Sequence, residues 1–547
     1  MTKKVKNIKM WMITLLALIF IFECSYIIVN KNNSKPIKTI KDKALELFNP
    51  NVVNKNEAYG VSSANPLATE VGMKVLEQGG NAVDAAVAIS FALAVVEPYG
   101  SGLGGGGGML IYDSKKDAAT FLNYREIAPF SKDKKASEIG VPGFVKGLEQ
   151  AVSKYGKLPM SELMKPAIGY AENGYSVSED LHYRLLMAKN GMNIKVLPQF
   201  YPNGKPINEG EKVVQKELAS TLKLIQSKGS DAFYKGTIAD AISSNTVIAK
   251  GDLESYTVSE LKPIYSTWGE YSLITAPPPF SGITLSQMLK LSEKVKIPNP
   301  QKDMSTYIKR LDAIKNITYK DRYNNIGDPN YYNKAYDNLV SDEHIQELYD
   351  KLAEKDDSII EEEEHESTTH FVVIDKNGMV VTCTNTISNF FGSKVYVKGF
   401  FMNSTFSAIS NNSNLLNGYE PGKRPRTFTS PTVITKGDSF IMGIGSAGGE
   451  RIPEVITEVL LNYFKAGEGI QDSISHPRLV ISNNTIVTEE ELPESIEDIL
   501  KNGGYSVEVK NDRFYYGAVQ SLILNRDENK IYGGADPRRH GVYKTNQ

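Results

Sequence analysis

Two hydroxyl residues, Thr368 and Thr369, stand between an acidic run and an extended segment in "SIIEEEEHESTTHFVVIDKNG". The run carries Glu361, Glu362, Glu363, Glu364 and Glu366. The segment after it mixes aromatic and β-branched residues and ends in the turn signal Lys376-Asn377-Gly378. A threonine hydroxyl is a weak nucleophile unless a base lies beside it. One solution is a threonine whose own α-amino group is that base. A free α-amino group has a pKa near ~8, so much of it is neutral at working pH. An internal threonine has no such amine, so this chemistry requires a cut between Ser367 and Thr368. A charged segment ending at that bond suits such a precursor, because the new N-terminus can stay in its strand while the old C-terminus leaves. Spacing alone equally allows a solvated acidic loop before an ordinary strand.

Other chemistries find little support. The six histidines, at 182, 344, 365, 370, 476 and 540, form no HExxH or HxH pair, and Cys24 and Cys383 form no CxxC. No metal is expected. Gly100-x-Gly102-x-x-Gly105 has the letters of a dinucleotide fingerprint. However, an apolar helix precedes it and a strand, "GMLIYD", follows, the reverse of the required context. It reads instead as a loop where backbones pack closely and φ > 0 is needed, and no cofactor is expected. Ser446 in "GIGSAGG" fails the GxSxG pattern because Ile444 takes the place of the first glycine. A net charge of −2 gives no sign of a nucleic-acid partner.

The elements that must position these residues can be sketched from pattern. "NPLATEVGMKVLEQGG" (65–80) reads as a helix with Asn65 as cap and Pro66 in its first turn. "NAVDAAVAISFALAVVEP" (81–98) is apolar nearly all round and so predicts a buried helix. Residues 140–175 and 214–260 read as mostly helical, 271–291 as strand, proline turn and helix, and 302–322 as a helix. From 368 to 450 the chain is strand-rich. Helices return near 452–466 and 494–503, with strands in 510–533. The sum is a layered α/β protein.

The N-terminus is basic ("MTKKVKNIK"), and residues 10–29 form an apolar stretch with one acid, Glu23. That length can span a bilayer. The flanking charge predicts a cytoplasmic N-terminus and an extracytoplasmic body. Residues 1–30 are therefore expected to be a signal-anchor or a signal peptide, followed by a polar tether over 31–56.

Eight segments, in order, resemble the γ-glutamyltranspeptidase family: "GGNAVDAAVA", "SGLGGGGGML", "YREIAP", "GVPGF", "APPPFSG", "TTHFVVIDKNGMVVTCTNT", "PGKRPRTFTSPT" and "GIGSAGGERIP". "EHESTTHFVVID", "SNFFGS", "GFFMN" and "RRHGVYKTNQ" look like the branch that processes poly-γ-glutamate capsules on Gram-positive surfaces. The resemblance implies an N-terminal-nucleophile hydrolase fold, a four-layer αββα sandwich. It implies self-cleavage into a large subunit (57–367) and a small subunit (368–547) that stay together as a heterodimer. Thr368 would be the nucleophile, with its amine as base. Thr386 would orient it, and Gly448 and Gly449 would form the oxyanion hole. Arg125, Arg451 and Arg539 would hold substrate carboxylates, with Arg538 the alternative to Arg539. Ser388, Asn403 and Thr427 would line the substrate site. The implied partners are a poly-γ-glutamate chain and, as acceptor, a peptidoglycan amine or water, on an enzyme held at the membrane by its N-terminal helix.

The departures matter. Where glutathione-processing relatives have Asn, Gln-x-x-Asp and Ser-Ser, this chain has Ser388, Thr405 with Ala408, and Thr427-Phe428. The lost groups grip the free ends of a γ-glutamyl substrate. Inside a polymer each α-nitrogen is in an isopeptide bond and carries no charge, so the substitutions suit a polymer better. A glutathione hydrolase of the same fold and a catalytically inactive surface relative are the competing readings.

Overall fold

The computed structural model describes residues 58–130, 138–352, 367–407, 409 and 415–547. The expected membrane span and tether, Cys24, the acidic run 361–366 and Ala408 lie outside the described residues. No helix among the described residues is long and apolar enough to cross a membrane.

Thirteen strands build the two main sheets. They are β1 (Gly60–Ser63), β2 (Gly106–Asp113), β3 (Ala118–Asn123), β4 (Ser259–Leu261), β5 (Ile264–Trp268), β6 (Tyr271–Thr275), β7 (Ser367–Ile374), β8 (Met379–Ser388), β9 (Thr432–Lys436), β10 (Phe440–Ala447), β11 (Ala518–Asn525), β12 (Lys530–Ala535) and β13 (Val542–Thr545). One sheet runs β13-β1-β7-β8-β2-β3-β4 and the other β12-β11-β10-β9-β6-β5. Both contain strands from either side of the Ser367–Thr368 bond, so the two expected subunits are interleaved.

Alternation along the strands assigns the layers. On β7, Phe371 and Val373 face a helical layer, whereas Val372 and Ile374 face the second sheet. On the second sheet, Val433 and Ile441 meet them, and Ile434, Met442 and Ile444 face the other helices. The first helical layer contains α1 (Pro66–Glu77), α2 (Ala82–Val96) and α3 (Phe144–Tyr155); the second contains α4 (Gly282–Lys294), α5 (Met304–Asn325) and α6 (Ile452–Leu461). The order is αββα, as expected.

The cap read at Asn65 and the buried helix read over 81–98 are both present, and the second helix adds a cap not read from the sequence. The Asn65 side chain accepts from Leu67 N at 3.0 Å with Pro66 next to it. Asn81 and Asp84 form a capping box at the start of α2, each side chain accepting from the other's backbone N–H at 2.9 and 2.8 Å. All fifteen residues of α2 are buried. Burying each of its larger aliphatic side chains is worth ~1.5–3 kcal/mol, which fixes α2 directly beneath β7 and β8.

The glycine-rich loop departs from expectation in one respect. None of the glycines from 100 to 108 has positive φ. They are there for close approach. A Cβ at Gly105 would lie 2.2 Å from the carbonyl oxygen of Thr386, and one at Gly104 would lie 2.2 Å from that of Phe401. The loop can therefore press against the end of β8, where the expected site lies.

Candidate active site

Thr368 is the second residue of β7 and pairs with Thr386 of β8. Its even position turns its side chain to the inter-sheet side. "TCTNT" then has a plain physical meaning. Thr382, Thr384 and Thr386 recur at period two and share that face with His370, which bonds Thr384 Oγ1 at 2.8 Å and Thr382 Oγ1 at 3.1 Å. Burial pushes the His370 ring down to about 3, so it is neutral.

The Thr386 hydroxyl is the hub. It donates to the carbonyl oxygen of Ser367 at 2.6 Å. It accepts from Thr368 Oγ1 at 3.4 Å and from Ser388 N at 2.8 Å. One donor and two acceptor contacts use its full capacity and fix its direction. Ser388 can reach it because the β7–β8 ladder slips between Thr386 and Ser388, and Ser388 sits at φ 77°. The chain is continuous from Ser367 to Thr368, so this is the uncut form, with the hydroxyl of Thr386 on the carbonyl of the bond in question. Ser367 Oγ donates to the Tyr99 carbonyl, pinning the residue before that bond.

Two further groups converge on this point. Arg539 Nη1 donates to the Thr368 carbonyl oxygen at 3.2 Å. Arg538 points elsewhere, into ion pairs with Glu489 and Asp536 and onto the carbonyls of Ile474 and His476. Geometry thus separates the two neighbouring arginines. Gly448 and Gly449 follow the end of β10. A Cβ at Gly443 would meet Val372, and one at Gly445 would meet the His370 ring at 2.2 Å. Continuing that two-residue step brings Ala447-Gly448-Gly449 level with Thr368. Both glycines have positive φ, 139° and 61°, a backbone in which successive N–H groups can point the same way. Arg451 follows them. Its guanidinium stacks 3.9 Å from the Tyr515 ring centroid.

Arg125 completes the row. Tyr124 and Gly107 exchange backbone hydrogen bonds at 3.0 and 3.2 Å, so Arg125 stands beside Gly106. Gly106 pairs with Thr386, and Thr386 with Thr368. Three inter-strand steps of ~4.8 Å therefore separate the Arg125 and Thr368 backbones. The Arg125 side chain is 2% exposed, and its Nε and Nη1 have no hydrogen-bond partner among the described residues. The facing carboxylate, Glu126, is 3.7 Å from Nε. A buried guanidinium with idle donors is costly unless an anion completes it.

Two expected substrate residues look inward instead. Asn403 is fully buried, and its side chain makes four backbone hydrogen bonds. It donates to Gly104 O and Gly140 O, and accepts from Gly140 N and Thr405 N. An amide can do no more, so Asn403 braces the loops rather than facing a ligand. Thr427 is also buried. Its hydroxyl bonds Thr429 Oγ1 at 3.2 Å and its N–H bonds the Pro279 carbonyl at 3.0 Å. Ser388 Oγ is shared with Thr405 Oγ1 at 2.8 Å.

Sequence reasoning missed Glu97. It lies at the C-terminal end of α2 and is 4% exposed, and burial pushes its carboxyl up to about 7, with Asp180 adding to the rise and Arg539 opposing it. Its one sequence signal was an acid closing an otherwise apolar helix. Among the described residues no group of histidine, cysteine and carboxylate side chains could hold a metal.

The geometry agrees with the kinship of the chain. The sequence pattern of the Gamma-glutamyltranspeptidase family matches residues 68–545. The chain is 46% identical to the capsule biosynthesis protein CapD proenzyme of Bacillus anthracis over 489 residues, covering 89% of this chain and 91% of that protein. It is 32% identical to a glutathione hydrolase proenzyme of Bacillus subtilis strain 168 over 542 residues, covering 88% and 90%. The crystal structure of a cephalosporin acylase from Bacillus halodurans aligns with a TM-score of 0.81 at 24% identity, covering 94% of this chain and 98% of that one. This last likeness bears on the fold.

Proposed function

The chain belongs to the gamma-glutamyltranspeptidase family, and from that premise we propose that it is a self-cleaving extracytoplasmic acyltransferase or hydrolase acting on poly-γ-glutamate. In the first step Thr368 Oγ1 attacks the carbonyl carbon of Ser367. The new C–O bond forms as the C–N bond breaks, the amide nitrogen takes the proton, and water then hydrolyses the ester. The products are a Ser367 carboxylate and a free Thr368 amine. The amine next takes the Oγ1 proton while Oγ1 attacks a γ-carbonyl of the donor. Backbone N–H groups of Gly448 and Gly449 hold the oxyanion; one such donor is worth ~3 kcal/mol. The leaving amine is protonated, and the acyl-Thr368 ester passes the chain to an amine or to water. An amine on peptidoglycan would anchor capsule to the wall; water would depolymerise it.

Thr386 should matter first for maturation. Thr386→Val keeps the shape and removes the hydroxyl on the Ser367 carbonyl. Losing an orienting hydrogen bond of ~1–3 kcal/mol is expected to slow cleavage ~10- to 100-fold, read from a time course of fragment appearance on a denaturing gel.

The observation that carries the polymer reading is a contrast of charge. The Arg539 guanidinium bonds the Thr368 carbonyl and the buried Arg125 lies three strand steps away, whereas positions 388, 405 and 427 offer only neutral hydroxyls. A free α-ammonium, as in glutathione, finds no counter-charge at those positions. A polymer interior brings carboxylates and no ammonium. The similarity to a capsule biosynthesis protein supports the same reading, and that to a glutathione hydrolase keeps the second reading in view. The test is kcat/KM for poly-γ-glutamate, per chain end and per bond, against glutathione on the matured protein. Polymer is expected to be preferred by at least tenfold. Preference for glutathione would make this a glutathione hydrolase.

A further inference from the structure

Just beyond Ser388 the chain enters a segment whose backbone is unusual. Ser388, Phe391 and Lys394 have φ of 77°, 60° and 63°, three left-handed non-glycine residues within seven. For a bulky residue such as Phe391 this is costly. The strain is held by several bonds: Asn389 N to Ser404 Oγ at 3.0 Å, Phe391 N to Tyr99 O at 3.1 Å, and Ser393 N to Met402 O at 2.9 Å. Gly392, at φ 55°, passes so close to Met402 O that a Cβ would lie 2.0 Å from it. This loop is one wall of a cavity of about 360 Å³, and the helix Glu179–Ala188 is the other.

The walls are charged. The Arg184 guanidinium is clamped flat, 3.6 Å from the Phe390 ring centroid and 4.3 Å from that of Phe514. Lys394 is exposed and has no ion pair among the described residues. Its Nζ rests where a side chain on Gly191 would stand, 2.2 Å from that position. Two cations face one carboxylate, Glu138, with Ser393 and Asn389 supplying neutral polar groups. Such a lining fits an anion, and its first residue follows directly on the one that holds the Thr386 hydroxyl.

Resting on the polymer reading above, we propose that this cavity is a second subsite, which takes a carboxylate-bearing segment of an acidic chain while another part of the same chain reacts at Thr368. The strained loop aims Lys394 and Ser393 into the cavity, and Arg184 provides a rigid floor.

The test compares wild type with Lys394→Gln and Lys394→Glu, each confirmed to mature to the same fragments. The donors are long poly-γ-glutamate and a single-unit γ-glutamyl anilide. For the long donor, KM is expected to rise about threefold in Lys394→Gln and about tenfold in Lys394→Glu, in line with loss and reversal of an exposed charge contact. The salt dependence of that KM should weaken, and the anilide serves as the internal control with unchanged constants. Equal KM values for the long donor in all three proteins would overturn the second subsite alone. A wild type that turns over the anilide but not the polymer would overturn the polymer reading and the subsite with it.

Discussion

Thr368→Ala is expected to remain a single chain and to turn over no γ-glutamyl donor, with activity down by about 10⁴-fold or more, the scale on which removal of a covalent nucleophile falls. Neither of the next two residues on β7 can stand in for Thr368. Thr369 points to the opposite face of β7, into the helical layer, and is fully buried. His370 is neutral, enclosed between the sheets and engaged with Thr382 and Thr384. Thr368→Ser keeps the hydroxyl and the Thr386 contact, and should both cut and turn over at a reduced rate. Mass spectrometry reads the first effect and release of a chromogenic amine reads the second. An alanine variant that matured normally would assign the nucleophile elsewhere.

Arg125→Gln is expected to separate binding from maturation. Its idle, buried guanidinium stands in the same ladder row as Thr368 and contacts neither Ser367 nor Thr386, so cleavage should proceed at the wild-type rate. Turnover should not. Truncating one partner of a buried charge pair costs ~3–4 kcal/mol, so kcat/KM for γ-glutamyl donors should fall ~10²- to 10³-fold. Arg125→Lys keeps the charge but not the planar fork and should fall between. Stability is read separately. Removing the guanidinium leaves the buried Glu126 carboxylate without its ion-pair partner, so the melting temperature should fall, and turnover is therefore compared well below it. A variant that loses activity only because it melts would contradict the role assigned to Arg125.

Much of this arrangement was legible in the chain. The meeting of Thr386 with Thr368 was implied by the family resemblance of "TTHFVVIDKNGMVVTCTNT", and the paired strands give it a physical reason, the period-two threonines of "TCTNT" sharing one face. Asn65 and Pro66 announce their helix because caps act within a few residues, and the next helix was legible from its unbroken apolar run. What escaped notice depends on contacts between distant segments. The glycines of "SGLGGGGG" were expected to allow close packing and positive φ; only the close packing is found, and its partners, the carbonyls of Thr386 and Phe401, are brought there by the folded register. Asn403 was expected to line the substrate site on the family resemblance; three of its four backbone hydrogen bonds come from segments some 260 to 300 residues earlier. Glu97 drew no attention as one acid in an apolar run, and its surroundings, Thr369, Asp180 and Arg539, come from distant segments. The left-handed residues after Ser388 carry no glycine signal at 391 or 394, because tertiary bonds rather than local preference hold them there.

The central claim is that Thr368 becomes an N-terminus and then the nucleophile. It is tested most directly by intact mass and N-terminal sequencing of purified residues 31–547 after native folding. The account predicts two co-purifying fragments, the smaller comprising residues 368–547 and beginning Thr-Thr-His-Phe-Val-Val-Ile-Asp. A chain that stays whole, or a fragment that begins at any other residue, would contradict it.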